Sequence, residues 1–330
     1  MSVRRAARSA ARRVLVWNAN PTLDVVSIVP SVRLGEVHLA TEQTFSAGGK
    51  GTLVMRGLNA LGVDYLGVTP VAGPSGDLVE QLIREEGLTS EFSRLRGSTR
   101  AAVTFVDGGG VDTNVNGPGP SAHDDLWRGH VERMSTLISS TSYDVLVIAG
   151  RPPPSADPAD LGRLCRLAAE HGMHVVLDVA QPFLEFGLAE RPWLVKVNRA
   201  EAEGVATPKR PEQAVPLPEL ADGLVARGAE NVVLTDGPDP IEARLLGQPL
   251  VGNPPKVDLR SAIGCGDAFL AGLLYGLIDV NAGAGEALRW AVAVAAASAE
   301  DLRPGFFSLG RAEHLLPSVK VWRSSFDAST

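Results

Sequence analysis

Gly264-Cys265-Gly266-Asp267, followed at once by the apolar run Ala268-Phe269-Leu270, is the stretch of this chain with the greatest capacity for chemistry. Two glycines let the backbone bend tightly. A helix opening there presents unpaired N–H groups and the positive end of its dipole. Such a terminus suits a transferring phosphoryl group, whose charge grows on oxygens that need fixed donors. Asp267 would stand beside that anion pocket and accept the proton of an attacking hydroxyl. An aspartate with an ordinary pKa of about 4 is a weak base, which phosphoryl transfer tolerates because positioning matters more than basicity. The same residues also fit a plain helix cap after a glycine turn.

Two further stretches carry polar groups at suggestive spacing. Ala47-Gly48-Gly49-Lys50-Gly51 leads into a helix and permits a ligand to touch backbone. It is not a Walker A loop, because Gly51 follows the lysine and Thr44 stands in the place of the first glycine. The dinucleotide fingerprint is missing as well, with Phe269 where its last glycine would fall. Lys196-Val197-Asn198-Arg199-Ala200-Glu201 closes a strand, and Asn198 and Glu201 project together if the chain turns there into a helix. An amide and a carboxylate suit the hydrated Mg²⁺ that accompanies ATP, Glu201 acting through water. They equally form a capping box, and the two roles are compatible.

Short β-branched runs alternate with longer helical patterns and must position these groups. Val14–Trp17, Tyr65–Val71, Val145–Ala149, Val175–Val179, Leu194–Val197 and Val232–Thr235 read as buried strands. Helices are expected at Thr52–Leu61, Gly76–Glu86, Leu126–Ile138, Ala159–Glu170 and Leu217–Arg227. Two Ala- and Gly-rich helices, Ala268–Ile278 and Ala284–Ala299, are expected towards the C-terminus. This alternation implies an α/β fold with a mostly parallel sheet covered on both faces. Residues 32–45 and 99–115 break the pattern and read as extended strands outside the main sheet, forming a small lid.

Composition narrows the function classes. The 330 residues carry a net charge of −7, and the first thirteen hold five arginines and no acid, leaving −12 on the remainder. That balance excludes a nucleic-acid-binding body. The basic tail, residues 1–13, is presequence-like in composition and is read as a disordered extension before a single domain, 14–330. No run approaches the ~20 apolar residues that span a bilayer, so no membrane partner is expected and the protein is placed in the cytoplasm. Cys165 and Cys265 have no paired spacing for zinc or a disulfide framework. In His171-Gly172-Met173-His174, a helix ending at His171 with Gly172 as its left-handed cap accounts for the first histidine without a metal.

Taken in order, these stretches resemble the PfkB family of carbohydrate kinases from Val14 to about Gly305, with most likeness to its 1-phosphofructokinase and tagatose-6-phosphate kinase branch. Asn20-Pro21-Thr22-Leu23-Asp24 resembles the branch's N-P-A-x-D opening, and Arg33-Leu34-Gly35-Glu36-Val37 its P-G-E-V. Gly48-Gly49-Lys50-Gly51 and Gly264-Cys265-Gly266-Asp267 resemble the two family signatures, and Asn116-Gly117-Pro118-Gly119-Pro120 a loop of the branch. The resemblance implies a three-layer αβα ribokinase-like core with a small β-lid, sometimes paired between subunits as a homodimer. It implies Asp267 as catalytic base, with Gly264, Cys265 and Gly266 supplying anion-hole amides. Asp24, Gly48, Gly49 and Lys50 would line the sugar pocket, with Arg100 near a substrate phosphate. Lys196, Asn198 and Glu201 would face ATP and Mg²⁺, and Thr235-Asp236-Gly237 resembles the nucleotide loop, with Thr235 and Gly237 touching ATP.

The sequence departs from the family mostly on the substrate side. Leu53 and Ala102 stand where the branch has asparagines, Arg151 where it has a serine, Cys265 for an alanine and Pro240 for a glycine. Arg151 either binds an anionic group of the substrate or is solvated beside the proline run. The expected activity is ATP-dependent phosphorylation of a sugar or sugar phosphate, a ketose phosphate foremost. A kinase for an unphosphorylated sugar or nucleoside, and a catalytically weak ligand-binding relative, are the alternatives.

Overall fold

The computed structural model describes residues 13–109, 112–206 and 215–324. The arginine-rich stretch 1–12 lies outside the described residues. In β1 (Val14–Trp17), Val14 and Val16 enter one buried cluster while Leu15 and Trp17 enter another on the opposite face. This two-residue alternation, with both faces apolar, is what a strand between two helical layers requires.

The chain continues through β2 (Thr22–Ile28), β3 (Glu42–Gly48), α1 (Lys50–Leu61), β4 (Tyr65–Val71), α2 (Gly73–Glu85) and β5 (Ser90–Arg94). Then come β6 (Arg100–Val106), β7 (Asp112–Asn116), α3 (Asp125–Ser139), β8 (Val145–Ala149), α4 (Pro158–Glu170) and β9 (His174–Asp178). These lead to α5 (Phe183–Leu188), β10 (Leu194–Asn198), α6 (Arg199–Glu203), α7 (Leu217–Ala226) and β11 (Asn231–Thr235). The last part holds β12 (Ile241–Leu245), β13 (Gln248–Asn253), α8 (Cys265–Leu274), α9 (Ala284–Ala299), α10 (Leu309–Leu315) and β14 (Lys320–Arg323).

The main sheet has the order β14-β13-β12-β11-β10-β9-β8-β1-β4-β5. From β11 to β5 every pairing is parallel; β12, β13 and β14 add an antiparallel edge. α1, α8, α9 and α10 pack on one face, and α3, α4, α5 and α7 on the other. The α/β reading and its three layers are therefore present. Strand order reverses at β1, whose neighbours are β8 and β4, and ligands of open α/β sheets bind at the carboxyl edge of such a switch point.

A second sheet of four strands, β3-β2-β6-β7, stands apart from the main one. Its membership differs from the sequence reading. Residues 32–41 contain no strand, and β2 takes part instead, pairing antiparallel with β3 and parallel with β6. The run Asp24-Val25-Val26-Ser27-Ile28 is β-rich in its own right, but only long-range pairing shows which sheet it joins. The helix expected at Ala268–Ile278 is α-helical only to Leu274 and continues as a π-turn over Tyr275–Asp279. α4 is capped by His171, whose Nδ1 lies 2.9 Å from the Leu167 carbonyl oxygen. Among the described residues no helix is long and apolar enough to cross a membrane.

Candidate active site

The chemistry-bearing residues converge on the carboxyl ends of the parallel strands. α8 begins there, and its cap residue Gly264 has φ 80°, a left-handed conformation that a side chain disfavours. A methyl on Gly264 would stand 2.6 Å from the Gly305 amide nitrogen, so the helix start is pressed against the 304–305 backbone. A methyl on Gly266 would stand 2.9 Å from Lys196 Nζ. The first turn of α8 is thus kept bare, with an ammonium group beneath it.

Asp267 follows in that turn, 6 % exposed, and its Oδ1 has no hydrogen-bond partner. Around it lie two lysines and two other carboxylates. Lys50 Nζ donates to Asp178 Oδ1 at 2.7 Å and to Glu201 Oε1 at 3.0 Å. Lys196 Nζ donates to the other Asp178 oxygen at 2.9 Å. Burial and the two lysines act oppositely on Asp178; burial would raise its pKa, but Lys196 and Lys50 hold it below the usual carboxylate range. Burial would lower Lys50, and Asp178, Asp267 and Glu201 more than offset it, holding the ammonium form.

Asp267 is therefore a third carboxylate sharing two cations that are already paired. Burial first, then the Asp178 charge, push its pKa up to about 7 against the pull of Lys50 and Lys196. The ordinary carboxylate value expected from the sequence does not hold here. A carboxylate that titrates near neutrality, with one oxygen left unpartnered in the first turn of α8, is much better suited to take a proton than one of pKa about 4.

The capping box is formed: Asn198 Oδ1 accepts from the Glu201 amide at 2.9 Å, and Glu201 Oε2 accepts from the Asn198 amide at 3.0 Å. Glu201 spends its remaining hydrogen-bonded oxygen on Lys50, so cap and site share one side chain. Thr235 pairs with Asn198 across β10 and β11, which sets the turn at Gly237, with φ 57°, beside the cap. Arg199 Nε donates to Asp236 at 2.6 Å and ties that turn to α6.

On the other side of Lys50 lies a cavity of about 340 Å³ at the switch point. Asn20, Lys50, Arg100, Asn116, Gly150 and Arg151 are among its lining residues. Arg100 is positioned by its Nε and one terminal nitrogen, 3.4 and 3.3 Å from the Asn20 carbonyl oxygen. Asp24, on β2, lies close to Gly48: any side chain at 48 would occupy the space of its carboxylate. Burial raises Asp24 to about 7, with Arg100 and then Arg56 acting in the opposite direction. Gly49 caps α1 with φ 89° and lets Lys50 start the helix facing both Asp178 and the cavity.

Sequence reasoning missed Asp178, Asn20 and Arg56. Asp178 had a signal, since His174-Val175-Val176-Leu177-Asp178 is an apolar strand ending in a carboxylate at the edge where ligands bind. The departures have structural roles: Leu53 is buried, its Cβ 3.4 Å from where a Gly305 methyl would be, and Ala102 is buried in β6. Arg151 is exposed and lines the cavity.

The profile of the pfkB family carbohydrate kinases matches residues 12–307. The chain belongs to the PfkB family of carbohydrate kinases. It is 31% identical over 286 residues to the 1-phosphofructokinase of Escherichia coli K12, covering 86% of this chain and 90% of that one. It is 31% identical over 311 residues to the 1-phosphofructokinase of Bacillus subtilis, covering 92% and 97%. Among solved structures, phosphofructokinase-2 from Escherichia coli in complex with fructose-6-phosphate superposes with a TM-score of 0.81 at 22% identity, over 93% of this chain and 99% of that one. A possible 1-phosphofructokinase from Thermotoga maritima gives 0.82 at 23% identity, over 95% and 100%. The PfkB assignment makes the protein a carbohydrate kinase that uses ATP, and the solved relatives fix the ribokinase-like fold.

Proposed function

We propose that this carbohydrate kinase transfers the γ-phosphoryl group of ATP to a hydroxyl of a ketose phosphate, as the names of its 1-phosphofructokinase relatives suggest. The observation that carries the reading is the shared position of Lys50. It lines the cavity that also holds Arg100 and Arg151, and its ammonium belongs to the carboxylate cluster around Asp267. An anion-binding pocket and a proton acceptor therefore adjoin through one side chain.

In this reading Asp24 accepts hydrogen bonds from sugar hydroxyls, with Gly48 and Gly49 leaving room beside it. Arg100 and Arg151 bind the phosphate that the acceptor already carries; guanidinium groups match phosphate oxygens in geometry and charge. The acceptor hydroxyl gives its proton to Asp267 Oδ1 as its oxygen bonds to the γ-phosphorus. The bond from that phosphorus to the β–γ bridging oxygen breaks, leaving ADP. Charge on the equatorial oxygens meets the amides of Gly264 and Gly266 and the Lys50 ammonium, and that of Cys265 once it gives up its long 3.4 Å bond to the Ala262 carbonyl. Lys196 holds Gly266 from beneath, while Asn198, Glu201, Thr235 and Gly237 form the nucleotide side.

The residues fit a Mg²⁺ ion that keeps its waters. Glu201 offers a carboxylate already oriented by its own helix cap, and no group of three metal-binding side chains occurs among the described residues. Bound to the triphosphate, the ion supplies charge neutralisation on the leaving phosphate.

Residues 14–330 are read as one kinase domain, with the four-stranded sheet as a lid that excludes water from the transfer. Two free cysteines and the need for ATP fit the cytoplasm. The lid and its loop expose Leu34, Val37, Leu39, Phe45 and Val115, a set suited to a second copy of the chain. Sedimentation is expected to give a dimer that Leu34→Ser/Val37→Ser weakens; a monomeric parent at micromolar concentration rejects the lid dimer.

ADP release with fructose 1-phosphate, fructose 6-phosphate and tagatose 6-phosphate, against fructose, ribose and adenosine, tests the acceptor. Turnover is expected with a ketose phosphate, and Arg100→Met should raise its KM by roughly 10- to 100-fold, as loss of a charged hydrogen bond of about 1.5–3 kcal/mol implies. Turnover confined to unphosphorylated acceptors rejects the ketose phosphate. No turnover with any acceptor favours a ligand-binding relative.

A further inference from the structure

Arg56 is a buried cation that none of the steps above uses. It lies on α1, 5 % exposed, and four of its five N–H groups make hydrogen bonds. Nε and one terminal nitrogen donate to the two oxygens of Glu86, each at 2.8 Å. The same terminal nitrogen reaches the Ala47 carbonyl at 2.7 Å, and the other reaches the Pro304 carbonyl at 2.7 Å. The group also lies over the Phe306 ring, 4.3 Å from its centroid.

The two carbonyls belong to backbone on opposite sides of the reaction. Ala47 precedes Gly48, whose surface abuts the Asp24 carboxylate on the acceptor side. Pro304 precedes Gly305, whose amide abuts Gly264 at the start of α8, on the side of the transferring phosphoryl. An ion pair needed only for stability would be complete with Glu86. Here one rigid fork also spans the end of β3 and the 304–305 backbone, which are far apart in sequence, and a planar group with fixed donor directions transmits distance as well as charge.

The geometry points to Arg56 as a positioning residue for phosphoryl transfer, setting the spacing between the Gly48–Asp24 acceptor floor and the Gly264 anion hole. This rests on the roles proposed above for Asp24 and Asp267. Acceptor and phosphoryl group must approach in line, and a misplacement of about 1 Å can cost 10²-fold in rate. The position of Arg56 also places a cation near Asp24. The charged groups facing that carboxylate are Arg100 from β6 and Arg56 from α1, with Glu86 at the end of α2 balancing the latter.

Arg56→Met, Arg56→Lys and Glu86→Gln separate positioning from support. Rates are taken per folded molecule, from thermal melts, with the acceptor that the parent turns over. Arg56→Met is expected to lose roughly tenfold or more in kcat. Its acid limb in kcat/KM for the acceptor should also move to higher pH, a change that a smaller folded fraction cannot produce. Glu86→Gln, which keeps both backbone contacts, is expected to melt earlier yet hold kcat within about threefold. Where Arg56→Met fails to fold, Arg56→Lys decides: it keeps the charge but cannot span both carbonyls, so kcat should fall while the acid limb stays. Parental kcat in Arg56→Met or Arg56→Lys overturns the inference, and so does an equal loss in Glu86→Gln. Asp267→Asn is run beside them, because full turnover in that variant would mean that the site reading, and not the role of Arg56, has failed.

Discussion

Asp267→Asn is expected to lose about 10²–10⁴-fold in kcat, the usual range for removing a general base, while ADP binding by calorimetry stays near the parental value. The substitution preserves shape and removes the proton acceptor together with its negative charge beside Lys50 and Lys196. Because Asp267 Oδ1 has no protein partner, no hydrogen bond is broken when it goes. Turnover equal to the parent would remove Asp267 from the mechanism.

The same residue sets two pH dependences of opposite use. Catalysis needs the carboxylate ionised, and burial and Asp178 raise its pKa to about 7, so kcat/KM in the parent should climb through that pH and level off above it. Asp24, also raised to about 7, contributes to the same limb if it binds sugar hydroxyls as the anion. For stability the sign is reversed. The folded state holds the proton more tightly than the unfolded chain, whose value is 3.8, so a penalty grows from that pH up to about 7 and is constant beyond. Asp267→Asn has no such penalty. Its melting temperature should exceed the parent's at pH 8 and lose that advantage near pH 4. A base poised at neutrality is thus obtained at some expense of stability, an arrangement common where function and folding compete.

What the sequence disclosed follows from which interactions are local. β4 and β8 coincide with the expected Tyr65–Val71 and Val145–Ala149 because buried parallel strands are continuous apolar runs. Gly264, Gly266 and Asp267 were legible because glycines beside an apolar helix mark a helix start. The Asn198–Glu201 cap was legible from its spacing, whereas the second Glu201 oxygen meets Lys50, 151 positions away. The membership of β2 in the second sheet was not legible, since pairing between residues 22–28 and 100–106 depends on the whole fold. Nor was the fact that Lys50 meets Asp178, 128 positions away, so the charge state of Asp267 could not be inferred from its neighbours in the chain. Arg56 sits at a polar position of an amphipathic pattern, and its four hydrogen bonds go to three residues in three separate segments.

Asp178→Asn is the second substitution with a large expected effect, this time on folding. The Asp178 side chain is 0% exposed and Lys196 4%, and Asp178 is the hydrogen-bond partner of the Lys196 ammonium among the described residues. Removing the negative charge leaves that buried ammonium without its hydrogen-bonded counter-charge, a loss of up to about 3–5 kcal/mol that the nearby Asp267 carboxylate offsets in part. Lys50 suffers less, being 33% exposed and still paired with Glu201. The urea midpoint of Asp178→Asn should therefore fall well below the parent's at pH 7. Asp178 is held below its usual pKa in the fold, so its contribution is present above the unfolded value of 3.8 and is lost as pH falls through the lower folded one. The gap between parent and variant should accordingly narrow in acid. Asp178→Asn/Lys196→Met, which deletes both charges, should recover part of the loss, because an apolar chain in that space carries no desolvation cost. Equal urea midpoints for parent and Asp178→Asn would mean that the pair is not what holds β9, β10 and the start of α8 together. If the double variant is folded but inactive, Lys196 is needed at Gly266 for the transfer itself rather than for the fold alone.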